Sequence, residues 1–422
     1  MSGVNIYFEG CVQETVAVLS IQLFINFCER YVNVWSYLIS LTQFEYPMTH
    51  TTQITKIPVS ISGWHRLTSM LLPAIFFTWT VSAGATGFIT EDFLLSDTDK
   101  EKRVGEAYYR ADQKWMVYQA EVADENPFYQ IYLKNLTNGK IHQVSPGVGK
   151  TTCSWIHPSE EKVLFSSTHD DPEAKSKMAA ELESRKSGER KSYAWDYDEH
   201  YDIYETDLKG NKIRNLTNAL GYDAEASWSP DGKYIAFASN RRAYTEELSE
   251  EEAALFKKDP SSMIDIYIMN ADGSNVKRLT HTKSYDGGPF FSPDGKRIVW
   301  RRFSPSGREA EVFTMNIDGS DQKQITQLKA LSWAPFYHPS NEYIIFSTNI
   351  HGHRNFELYI VDVDGKQEPV RVTDKEGFDG LPVFTPDGNY LTWTSDRVPA
   401  KKGHLFHGKW NHEKAMQSLS LK

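Results

Sequence analysis

The stretch "SWSPDGKYIAFASNR" (227–241) carries the pattern on which the chain is built: an extended run, a Ser-Pro-Asp-Gly break, then a strand alternating apolar and polar positions. The pattern returns in "FFSPDGKRIVWRR" (290–302), "FYHPSNEYIIFSTN" (336–349) and "VFTPDGNYLTWTSDR" (383–397). A degenerate copy is "SWIHPSEEKVLFSSTH" (154–169), and "AYYRADQKWMVYQAE" (107–121) is weaker. In the turn, Pro presets φ, Asp caps backbone and Gly accepts φ > 0. A second motif follows each first one: "QIYLKNLTNGKIHQVS", "DIYETDLKGNKIRNLT", "DIYIMNADGSNVKRLT", "EVFTMNIDGSDQKQIT", "ELYIVDVDGKQEPVRVT" and the truncated "HLFHGKW" (404–410). Each reads as strand, Asn-Gly or Asp-Gly turn, strand, which is a hairpin.

Each unit therefore holds four strands. The marker positions Ala111, Pro158, Pro230, Pro293, Pro339 and Pro386 are spaced by 47, 72, 63, 46 and 47 residues, so the basic period lies in the range of propeller blades. The two long spacings hold charged inserts. "DPEAKSKMAAELESRKSGER" (171–190) places Asp171 and Pro172 as N-cap and N1, and "LSEEEAALFKKD" (248–259) offers a Ser249/Glu252 capping box. Both predict short surface helices between the second and third strands of blades two and three. The expected fold class is all-β, a six-bladed β-propeller of four-stranded blades. The last blade lacks a fourth strand, which either "FITEDFLLSD" or "AMQSLSLK" could supply.

The SPDG and TPDG turns, the "DIYIMNADGSNVKRLT" hairpin and the period resemble the TolB-type β-propeller repeat over residues 104–410. The resemblance implies a secreted, usually periplasmic, non-enzymatic propeller used for protein interaction. About twenty residues separate Ala85 from blade one, where the resemblance implies an α/β domain before the TolB propeller, so the expectation is a stand-alone propeller.

The front end differs. Residues 1–62 are poor in Lys and Arg and show no repeat; the expectation is a non-native or leader extension. In 63–85, His65 and Arg66 form a charged start, Leu71 to Val81 an apolar run too short to span a bilayer, and Ala83-Gly84-Ala85 a cleavage signal. This predicts a secretory signal peptide, a mature propeller over 86–422 with no membrane span, and Cys153 as its lone cysteine.

A net charge of −10 argues against nucleic acid as a partner, and the three cysteines have no zinc spacing. "SPGVGKTTCSW" (145–155) ends like a phosphate loop, but Val144 stands where the first glycine belongs and a strand, not a helix, should follow. Asp223, Asp286 and Asp379 occupy equivalent loops entering the innermost strands, where they either form an acidic collar for a cation or basic peptide or cap their own turns. In "WDYDEHYDIY" (195–204), Trp195, Asp196, Asp198 and Glu199 combine aromatics with carboxylates at a loop tip, suited to binding or to packing over their own blade. The pairs His351/His353 and His404/His407 have no identifiable carboxylate partner, so no metal or other cofactor is expected. No G-x-S-x-G elbow occurs. The resulting expectation is a monomeric, non-catalytic extracytoplasmic propeller that binds a protein or peptide in the cell envelope. The alternative is a metal-dependent propeller enzyme, a lyase or hydrolase acting on saccharides.

Overall fold

The computed structural model describes residues 86–187, 197–399 and 401–421. The leader and signal peptide expected at 1–62 and 63–85, and Trp195 and Asp196, lie outside them.

The described chain opens on β1 (Ile89–Leu94), and six four-stranded antiparallel sheets follow the repeat. Blade one is β2 (Arg103–Tyr109), β3 (Trp115–Glu121), β4 (Gln130–Asn135) and β5 (Ile141–Gln143). Blade two is β6 (Thr151–Ile156), β7 (Lys162–Ser167), β8 (Asp202–Asp207) and β9 (Arg214–Asn215), with helix α1 (Ala174–Ser187) between β7 and β8. Blade three is β10 (Asp223–Trp228), β11 (Tyr234–Ser239), β12 (Asp265–Asn270) and β13 (Lys277–Arg278), with α2 (Arg242–Thr245) and α3 (Glu250–Lys258) inserted after β11. Blades four and five are β14 (Asp286–Phe291) to β17 (Lys323–Gln324) and β18 (Ser332–Tyr337) to β21 (Val370–Arg371), their second and third strands being β15 (Arg297–Phe303), β16 (Ala310–Asn316), β19 (Tyr343–Thr348) and β20 (Glu357–Asp362). Blade six is β22 (Asp379–Phe384), β23 (Tyr390–Ser395) and β24 (His404–Trp410), with β1 as its outer strand.

The inner strands pack side to side, β2 on β6, β6 on β10, β10 on β14, β14 on β18, β18 on β22, and β22 back on β2. The ring is thus closed, and β1 latches it: Ile89 pairs with Trp410 and Leu94 with Phe406. Of the two segments that could have completed blade six, the N-terminal one does so. The C-terminal one instead forms α4 (His412–Ser418), whose Ala415, with Leu419 just after the helix, is buried in one cluster with Phe88 and Trp410. Among the described residues no helix is long and apolar enough to cross a membrane.

The repeat motifs have local causes. In the SPDG turn, Asp231 Oδ1 accepts from the Ser229 hydroxyl at 2.7 Å and the Lys233 amide at 3.1 Å, while Ser229 Oγ accepts from the Tyr234 amide. Ser292/Asp294 and Thr385/Asp387 repeat the set. Gly232 is needed twice over: its φ is +72°, and a Cβ there would lie 2.5 Å from the His157 ring of the preceding blade. In the second motif the Thr of "RLT" or "NLT" ties strands three and four together. Thr280 Oγ1 accepts from the Ile266 amide and donates to Asp265, and Thr217, Thr326 and Thr373 act alike on Asp202, Glu311 and Glu357. In blade one Ser145 takes this place, accepting from the Ile131 amide, while Asn135, the last residue of β4, caps the hairpin turn by accepting from the Thr137 amide.

The core lies between blades. Ile235 and Phe237 of β11 pack on Leu164 and Ile203 of blade two, while Ala236 packs on Ile298 and Trp300 of blade four. With both faces covered, a central strand must be apolar at nearly every position, as β11 is. Each blade carries an aromatic or tyrosine pair across its second and third strands: Tyr118/Tyr132, Phe165/Tyr204, Phe237/Tyr267, Trp300/Phe313, Phe346/Tyr359 and Trp393/Phe406.

Candidate functional site on the propeller axis

All six inner strands break register with their neighbours, between Gly105 and Ala107, Thr152 and Trp155, Ala224 and Ser227, Gly287 and Phe290, Trp333 and Phe336, and Gly380 and Val383. The bulged residues are Glu106, Cys153, Glu225, Gly288, Ala334 and Leu381, all in the left-handed region with φ between +44° and +62°. A bulge re-aims a side chain that regular pleating would point elsewhere. Here the equivalent positions of the six blades meet around a cavity of about 80 Å³, lined also by Arg301 and Trp333.

Five non-glycine residues held at positive φ make this a strained ring. Blade four is the exception that makes room. A Cβ on Gly288 would collide with Nη1 of Arg301, so the missing side chain admits the Arg301 guanidinium to the axis. There its Nη2 donates to Glu225 Oε1 at 2.8 Å and to the Tyr285 hydroxyl at 2.7 Å. Tyr285 donates to Glu225 at 2.5 Å and the Gly288 amide at 2.6 Å, which completes that carboxylate. Two atoms remain unsatisfied: Glu106 Oε2 and Arg301 Nε have no hydrogen-bond partner. Burial, and then the charge of Glu225, push the Glu106 carboxyl up to about 7 against the pull of Arg301. Burial and the two carboxylates also hold the Cys153 thiol well above its usual range.

Two residues beyond the bulges, Tyr108, Trp155, Phe290 and Phe336 converge on the axis, with ring centroids 4.6 Å apart for Tyr108 and Trp155 and 5.4 Å for Trp155 and Phe290. They floor the polar chamber. On their other side a cavity of about 210 Å³ opens at the turn end, ringed by Ala111, Pro158, Pro230, Pro293, Pro339 and Pro386.

Asp223, Asp286 and Asp379 start the inner strands as expected, but they do not form an open collar. Each is buried inside its own blade, at 0%, 0% and 1% exposure. Arg241 Nη2 holds Asp223 at 2.5 Å, Arg302 Nε holds Asp286 at 2.7 Å, and Arg397 holds Asp379. The guanidiniums lie over the aromatic pairs, Arg241 5.1 Å from the Phe237 centroid and Arg302 4.6 Å from that of Phe313. In blades two and five, whose inner strands begin with Thr151 and Ser332, His169 and His351 lie against Tyr204 and Tyr359 instead.

Residues 257–411 match the TolB β-propeller domain family. The chain carries a TolB-like propeller. Over 122 residues it is 27% identical to the TolB homologue of Chlorobium chlorochromatii, in a match covering 24% of this chain and 28% of that protein. Over 90 residues it is 34% identical to dipeptidyl-peptidase 5 of Porphyromonas gingivalis, covering 20% and 11%. The solved TolB of Acinetobacter baumannii aligns with a TM-score of 0.45 at 21% identity, over 65% of this chain and 55% of that one. The chain spans under a third of the length of the curated relatives it matches.

The loop side of the TolB-like propeller carries the inserts. The capping box of α3 forms as expected, with Ser249 accepting from the Glu252 amide. Helix α1 is more than a solvated face: its Arg185 reaches blade one and donates to Glu121 at 2.8 Å and to the Pro127 carbonyl at 2.6 Å. Asp198 is a buried anchor for the same helix, with Lys177 Nζ 2.8 Å away, and Glu199 accepts from Tyr244 at 2.9 Å. Gly149 and Lys150 lead into strand β6, not into a helix, which removes the phosphate-loop geometry. Cys153, on that strand, reaches the axial chamber, which its lone occurrence did not signal.

Proposed function

We propose that this TolB-like propeller is a non-catalytic extracytoplasmic module of the cell envelope that holds a protein or peptide partner on its axis. The observation that carries the reading is a contrast between two sets of repeat positions. The Asp223, Asp286 and Asp379 carboxylates are buried inside their own blades and each is ion-paired with an arginine of the same blade, which is what structural repeat residues need. The bulge positions instead carry different side chains in different blades and line a cavity; Glu106 among them, and Arg301 beside them, each keep one buried polar atom without a hydrogen-bond partner. A closed ring holds those side chains rigidly, so little order would be lost when a partner docks. The TolB family match over the last blades supports the same reading.

The saccharide-enzyme alternative needs histidines that converge. His404 Nδ1 instead lies 3.3 Å from Ser96 Oγ, His407 Nδ1 2.8 Å from Thr392 Oγ1, and His351 Nε2 2.5 Å from the Tyr359 hydroxyl. The grouping of Asp171, Asp198 and His200 is already bridged by Lys177, whose ammonium lies 2.7 and 2.8 Å from the two carboxylates. The test places a photo-cross-linking residue at Leu381 in the full chain expressed in a periplasm. One envelope polypeptide should label saturably, and a synthetic peptide of its cross-linked segment should compete. Absence of a competable product, or turnover of acidic oligosaccharides with a stoichiometric metal ion, overturns the proposal.

A further inference from the structure

The axial chamber is asymmetric. Blades one to four give it Glu106, Cys153, Glu225 and Arg301; blades five and six give it Trp333, Ala334 and Leu381. The charges are also unevenly matched. Arg301 and Glu225 neutralise each other within a network that includes Tyr285 and the Gly288 amide, which leaves Glu106 with an unpartnered oxygen. Arg301, itself only 7% exposed, lines the same cavity and keeps its buried Nε–H unpartnered.

We propose that this chamber receives a primary alkylammonium group, which in a docked partner is a lysine side chain inserted along the axis. The proposal rests on the docking reading above and names the chemistry of the occupant. The ammonium would take Glu106 as its carboxylate. The aromatic floor of Tyr108, Trp155 and Phe290 suits a cation, because ring faces are negative. The methylene stem would lie on Ala334, Leu381 and Trp333, as lysine stems do on apolar surface. A polydentate metal ion fits less well, because the ligand atoms of Glu106, Cys153 and Glu225 do not gather within 4.8 Å of one another.

The groups facing Glu106 are Tyr108 of its own strand, Cys153 of β6, Glu225 of β10 and Arg301 of β15. Because Glu106 titrates near 7, an arriving ammonium displaces its proton, so binding weakens as pH falls through that value. The probe is n-butylammonium, with n-butanol as its uncharged counterpart, titrated calorimetrically into the full chain. We expect the ammonium to bind about tenfold tighter than the alcohol or better. Its affinity should fall about tenfold from pH 8 to pH 6, with proton release that scales with buffer ionisation enthalpy.

Glu106→Gln should abolish the preference for the ammonium. Should that variant fail to fold, Ala334→Leu narrows the stem wall, and it should lose n-butylammonium while keeping methylammonium. Equal binding of the alcohol, binding unchanged in Glu106→Gln, or saturation by calcium ions with no response to butylammonium overturns the inference. A partner that cross-links at Leu381 after all its lysines are replaced overturns it too, and leaves the docking reading standing. Butylammonium binding without any competable partner does the reverse.

Discussion

Gly288→Ala is a single methyl group aimed at the mechanism that builds the axial chamber. Gly288 has φ +62°, and its Cβ would fall on Nη1 of Arg301. Two costs follow. Holding an alanine in the left-handed region costs about 1–2 kcal/mol. The other five blades show that this backbone tolerates a side chain, so this cost alone is survivable. The second cost comes from displacing a guanidinium that Glu225 and Tyr285 hold at 2.8 and 2.7 Å. Breaking a buried ion pair and stranding its partner costs about 3–5 kcal/mol. The sum is about 4–7 kcal/mol, against the 1–2 kcal/mol expected from backbone strain alone.

A double-mutant cycle separates the two terms. In an Arg301→Met background, where no guanidinium needs the space, Gly288→Ala should cost only the backbone term. The coupling measured by urea unfolding should therefore be about 3 kcal/mol or more. Coupling below about 0.5 kcal/mol would show that Gly288 and Arg301 are independent, and the account of how blade four opens the chamber would be wrong.

Three other outcomes follow from the geometry. Phe88→Ala removes a 3% exposed ring stacked 5.8 Å from Trp410 beside the latch strand, and should cost about 3–5 kcal/mol in urea unfolding; a loss below about 1 kcal/mol would mean that β1 closes blade six without it. Asp223→Ala strands Arg241 over Phe237 and should cost about 3 kcal/mol or more by the same assay, while n-butylammonium affinity stays within about twofold; a lost affinity would return Asp223 to the binding surface. His338, buried against Tyr343, Phe384 and His412, is depressed to about 4 by burial and by His412. The unfolded chain takes up its proton first, near 6.5, so this stability is present above that pH and is lost as pH falls toward 4, by about 3 kcal/mol. His338→Gln should flatten melting temperature between pH 6.5 and 4, and an unchanged slope would clear His338 of the effect.

Blade number, strand order within each blade and the place of both inserts could be read from the sequence, because the signals are local. A Ser-Pro-Asp-Gly turn is closed by its own side chains, and an Asp-Gly hairpin by its own backbone, so each reports itself within a few residues. Two matters could not be read this way. Either end of the chain could have latched blade six, and the choice of β1 depends on Ile89 meeting Trp410, more than three hundred residues away. The axial site was hidden for a sharper reason. Under a period of two, positions such as Asp223 and Glu225 share a face, and the eye goes to the repeated aspartate. The bulge between Ala224 and Ser227 breaks that parity, burying Asp223 against Arg241 and turning Glu225 to the axis. A bulge exists only in the pairing of two strands. The convergence of Glu106, Cys153, Glu225 and Arg301 exists only once the ring has closed, because closure brings residues from four blades to one centre.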